Sequence, residues 1–142
     1  MANVYDVAAY ILQQRGAMPA MKLQKLVFYS QAWSLVWDDE PLLPEAIEAW
    51  ANGPVVRALY EAHKGAFRVD RIAAGNPATL TETQRSTIDN VLKFYGDETS
   101  QWLSDLTHQE DPWKNARNGT PAGESGSVVI IHAAMAEYYG SL

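Results

Sequence analysis

The sequence contains no cysteine. That absence excludes a disulfide framework and any thiolate metal site, and it fits a reducing compartment, so a cytoplasmic location is expected. Histidine is scarce: His63, His108 and His132 lie far apart and none stands in an HExxH pattern, so a zinc site would have to be assembled from them and carboxylates alone. The clustered glycines of AGESGS lack the Lys and the preceding strand of a phosphate-binding loop. No metal ion and no cofactor are therefore expected. Long apolar runs are missing too. In MANVYDVAAYILQQRG the apolar residues recur every three and four positions with no basic stretch before them, the pattern of neither a signal peptide nor a membrane span, and no later segment spans either. Positive charge is short as well: 11 Lys and Arg stand against 17 Asp and Glu, a formal charge of -6. Such a field repels phosphate backbones and leaves no basic stripe, so neither nucleic acid nor a membrane is an expected partner. The same field serves solubility, and it attracts a basic protein surface.

What the chain does have is large apolar side chains. With 142 residues, 47% of them hydrophobic, and five Trp beside seven Tyr, a single core can outweigh chain entropy. The expectation is one domain over residues 1–142, mainly α, a multi-helix unit with one or two short β-strands. Val4, Val7, Ala8, Ile11 and Leu12 recur at helical spacing, with Asn3 to cap the start and Gly16 after the end. From Pro19 to Trp37 apolar residues occupy most of the circumference, which suits a helix surrounded by others. The prolines of DDEPLLPEA demand a loop, and AIEAWAN reads as a short strand. Pro54 suits a first helical position, which predicts a third helix over 54–64, and residues 67–72 read as a second short strand. Thr81 with Gln84 predicts a capping box for a helix ending at Gly96, and Trp102, Leu103 and Leu106 continue as another. The run RNGTPAGESGS predicts an exposed, mobile loop, and Val128 to Tyr139 a last amphipathic helix.

Three groups invite a chemical reading. His108, Glu110 and Asp111 in THQEDPW offer an imidazole and two carboxylates, the only combination suggestive of a small hydrolase. The same residues also read as helix punctuation, with Thr107 and Asp111 as caps, Pro112 at a first helical position and Trp113 packed inward. That second reading is preferred, because no nucleophile accompanies the cluster, and no catalytic residue is assigned. Lys25, on the crowded second helix, and Glu48, beside Trp50, are expected to pair. Tyr29, Trp33 and Trp37 are the aromatic residues expected to reach a groove.

Three stretches, MKLQKLVFYSQAW (21–33), PLLPEAIEAWANGPVVRALY (41–60) and LTHQEDPWKNAR (106–117), together resemble the signature blocks of the Panacea domain, the SocA-like antitoxin domain also found in phage-associated proteins. The positions that carry the resemblance are Lys25, Leu26, Tyr29, Gln31 and Trp33, then Glu48, Ala49, Trp50, Gly53, Pro54, Val55 and Tyr60, then Leu106, Thr107, His108, Pro112 and Trp113. The resemblance implies a mainly helical fold with a little strand and a non-enzymatic antitoxin. Such a protein is encoded beside a toxin gene and binds the toxin directly; some relatives instead deliver it to a Clp protease. It further implies that these positions mostly shape the scaffold. Toxin choice is expected in the variable segments 66–80 and 118–127, and among outer residues of the second helix such as Lys22 and Gln31.

Overall fold

The computed structural model describes residues 2–121 and 123–142; Ala122, inside the expected mobile loop, lies outside the described residues. Helix α1, Val4–Arg15, begins where expected: the Asn3 side chain accepts the Asp6 amide, and the Asp6 carboxylate in turn accepts the Asn3 amide. Gly16 ends the helix at φ 78°, a conformation that favours glycine. A two-residue strand β1, Met18–Pro19, leads into α2, Ala20–Trp37.

Helix α2 is the axis of the fold. Ala20, Leu23, Leu26, Val27, Phe28, Tyr29 and Ala32 are all buried, and together they cover nearly every side of the helix. Each such large side chain withdrawn from water contributes roughly 1.5–3 kcal/mol. Around it pack α1, a β-hairpin, and three later helices: α4 (Glu82–Tyr95), α5 (Ser100–Gln109) and α7 (His132–Gly140). Thr81 and Gln84 form the expected capping box of α4. Thr99 caps α5, and a short helix α6, Asp111–Arg117, links α5 to the loop before α7. The described residues hold seven α-helices, one short 3-10 helix and two small antiparallel sheets, a mainly α architecture as the sequence predicts. Among the described residues no helix is long and apolar enough to cross a membrane.

The hairpin joins β2, Ile47–Trp50, to β3, Gly53–Val56, with Glu48 opposite Val55 and Trp50 opposite Gly53. Here the structure departs from expectation. Pro54 does not open a helix; it lies in β3 opposite Ala49, and the third helix α3 spans only Arg57–His63. Residues 53–56 are all buried, and pairing with β2 outweighs their helical spacing. The expected second strand is confined to β4, Arg68–Val69, paired with β1. The last helix is also shorter than predicted. Val128–Ile130 run extended along the outer edge of β2, with the Ala49 amide donating to Val128 O and the Ile130 amide to Ile47 O, each at 2.8 Å.

Candidate functional site

The three signature blocks meet where α2, the hairpin and α5 converge. Lys25, fully buried, runs from α2 beneath the start of β3, and among the described residues its ammonium has no hydrogen-bond partner. Gly53 makes room for it. At φ +124° its backbone adopts a conformation that side chains disfavour, and a Cβ there would lie 2.6 Å from Lys25 Cε and 3.1 Å from Thr107 Oγ1. Burial pushes the Lys25 ammonium down to about 7, because nothing nearby compensates for lost hydration. Thr107 is no cap. It sits inside α5 and donates its hydroxyl to Ser104 O at 2.8 Å.

The expected pairing of Lys25 with Glu48 does not form. Alternation along β2 sends Ile47 and Ala49 inward and Glu48 and Trp50 outward, so the carboxylate faces away from α2. Glu48 instead accepts the Trp50 indole N–H at 2.9 Å and is gripped by Arg57 at 2.8 and 3.1 Å. The Arg57 guanidinium holds the Glu48 carboxyl below the usual carboxylate range, and it also lies 5.2 Å above the Trp50 ring. Tyr60 meets the same indole edge-on at 4.9 Å.

Below the hairpin, the third block locks onto the second. The Trp113 indole donates to Trp50 O at 2.8 Å, while the His108 ring stacks on Trp113 at 4.0 Å and 17°. Arg117 covers the other end. It lies 5.1 Å from the Trp113 ring and donates to Ala49 O at 3.2 Å, Pro121 O at 2.9 Å and Glu124 O at 2.6 Å, so the loop after α6 is tied to the hairpin. Burial, reinforced by the Lys25 charge, pulls the His108 imidazole down, and among the described residues the buried His108 Nε2 has no hydrogen-bond partner.

Two adjoining clefts open beside this junction, of about 620 and 670 Å³, separated by Met21, Asn52 and Tyr60. Trp50 and Arg57 line the first, and His63 and His108 the second. The suggested hydrolase cluster does not assemble here. Glu110 points the other way into the core, where it accepts the hydroxyls of Tyr29 at 2.6 Å and Tyr139 at 2.8 Å, and Asp111 is exposed beside a separate cleft on α6 and α7. Burial raises the Glu110 carboxyl even though both tyrosines favour its charged form. Among the described residues no group of three or more His, Asp or Glu side chains could hold a metal ion.

Two of the aromatic residues expected to reach a groove turn inward. Tyr29 is fully buried, stacked on Tyr95 at 4.1 Å, and Trp33 is half-buried with its indole N–H donating to Tyr95 Oη at 3.1 Å. Trp37 alone of the three is exposed. Gln31, expected on the outer side, is fully buried: its carbonyl accepts the amides of Leu42 at 2.7 Å and Leu43 at 3.1 Å, and its amide donates to Leu43 O at 3.1 Å. Gln24 grips β3 in the same manner, accepting the Val56 amide at 2.9 Å and donating to Val56 O at 3.3 Å. The sequence alone does not single out Gln24. One heptad apart, Gln24 and Gln31 share one face of α2, a relation legible in the sequence, while the inward direction of that face is set by the loop and β3 packed against it.

In comparisons with known proteins, the family model described as "Antitoxin SocA-like, Panacea domain" matches residues 23–114, well over half of the chain. No curated protein and no solved structure matches it.

Proposed function

We propose, from the premise that this chain belongs to the SocA-like antitoxin family with its Panacea domain, that it is a non-enzymatic antitoxin that neutralises a protein toxin by direct binding. The observation that carries this reading is the family match across all three signature blocks. The geometry supports it in two ways. Most signature side chains are committed to internal partners: Gln31 and Thr107 bond backbone carbonyls, Tyr29 bonds Glu110, and Trp113 bonds the hairpin. In addition, the acid–base cluster suggested by the sequence is split between the core and a separate surface, which argues against a hydrolase centred on His108, Glu110 and Asp111. We place the protein in the cytoplasm, with a partner encoded by the adjacent gene, and we count residues 1–142 as one antitoxin domain.

Co-expression with the neighbouring gene tests the proposal. Growth arrested by the neighbour alone is expected to recover when this chain is supplied in excess, with the toxin persisting in the cell at an unchanged half-life. Recovery accompanied by rapid loss of the toxin only when a Clp protease is present would replace direct neutralisation with the adaptor mechanism. No recovery at any expression level would refute both.

A further inference from the structure

The C-terminal end of α2 breaks an ordinary rule of helix electrostatics. Helix C-termini carry partial negative charge and are stabilised by Lys, Arg or His in the last turn. Here the last turn has no basic residue, and the helix runs directly into Asp38, Asp39 and Glu40. Trp37 ends the helix, 44% exposed, yet fixed in place by stacking on Trp33 at 4.9 Å and 27°. Between this indole and α4 lies a cleft of about 390 Å³, bounded by Trp37, Asp38, Glu82, Thr83, Ser86 and Asn90, with no lysine or arginine on its walls among the described residues. Asp38 is anchored by accepting the Thr87 hydroxyl, while Asp39, Glu40 and Glu82 are exposed.

We propose that this cleft receives a basic side chain, an arginine guanidinium, from the protein that this chain neutralises; the inference rests on the direct-binding reading above. The indole and the carboxylates match that occupant. An indole face attracts a cation through its quadrupole and offers a flat surface on which a guanidinium stacks. The Asp38 and Glu82 carboxylates on the walls accept its N–H donors in charge-assisted hydrogen bonds, and Asp39 and Glu40, next in the chain, add charge of the same sign. A rigid, half-exposed Trp flanked by charge of one sign is also the composition of an interface hot spot, because little side-chain freedom remains to be lost on binding.

Two measurements on the full chain test the assignment. In the first, the isotope-labelled protein is titrated with the blocked peptide acetyl-Arg-Gly-Arg-amide and followed by NMR. The Trp37 indole N–H and the amides of Thr83, Ser86 and Asn90 are expected to shift. The triple variant D39N/E40Q/E82Q, altered only at exposed carboxylates, is expected to weaken the response about tenfold. A peptide that shifts a different region, or none, overturns the proposal. In the second, equilibrium binding to the product of the adjacent gene is compared for the wild type, the triple variant and W37A, all with native circular dichroism. W37A is expected to bind about 30-fold more weakly, and the triple variant to show a shallower salt dependence of binding. Undiminished binding by both variants, or a cleft filled by a second copy of this chain, sinks the arginine cleft and leaves direct neutralisation standing. A wild type that does not bind the neighbour sinks neutralisation, and the peptide titration still decides whether the cleft takes arginine.

Discussion

Lys25 shows how much a single side chain depends on its surroundings. An ammonium left without water or a counter-charge destabilises the folded state, and the depressed value of about 7 measures that penalty against an ordinary 10.5. Below pH 7 both the folded and unfolded chains hold the proton, so the penalty is complete and constant. Between about 7 and 10.5 the unfolded chain binds a proton that the folded chain does not, and stability therefore rises with pH through that window. Lys25→Met keeps most of the packed volume without the charge. It is expected to raise stability by a few kcal/mol at pH 6, with an advantage that shrinks steadily toward pH 10, as read by denaturant melts across the range. Equal stability of the two proteins at pH 6 would mean that the ammonium is compensated. From sequence, crowding around Lys25 was legible, but its partner was not. A side chain's partner is set by which face of a strand it occupies, and the one-residue alternation of β2 that turns Glu48 outward is fixed only when β2 pairs with β3.

At the scale of elements, the inward-facing glutamines of α2 act as substitute backbone. Gln31 satisfies the amides of Leu42 and Leu43, and Gln24 satisfies both polar groups of Val56, so one helix holds a proline-rich loop and a strand that no longer sheet would otherwise fix. Removing either strands buried backbone groups at about 1–3 kcal/mol each. Gln31→Ala is accordingly expected to lower stability by roughly 2–4 kcal/mol and to abolish hydrogen-exchange protection at Leu42 and Leu43, while Gln24→Ala does the same at Val56. Unchanged protection at those amides would contradict the assigned role. The elements legible in the sequence are those whose signals are local: the Asn3 and Thr81 caps, the all-round apolar face of α2, and the stop at Gly96. The elements misread were those fixed by distant partners. Gly53–Val56 and Val128–Ile130 both carry apolar spacing compatible with a helix, yet both are drawn into extended pairing by β2, one on each side of it. The signature residues were legible as a group, whereas their division into core, hairpin lock and cleft wall depended on the fold.

Over the whole molecule, the excess of acidic residues gives a field that accelerates encounter with a basic partner and weakens as salt rises. The buried signature junction supplies a rigid frame for such an encounter, with the exposed surfaces of α2, α4 and the clefts beside Tyr60 left to make contact. We propose that this frame neutralises a toxin by binding it, with no protease and no chemistry of its own. The most direct test uses two purified proteins, this chain and the product of its adjacent gene, in an assay of the toxin's own activity with no other protein present. A stable complex is expected, with inhibition that saturates at a fixed molar ratio and both chains recovered intact. A toxin that stays fully active under saturating antitoxin, or that is silenced only after a protease is added, would contradict it.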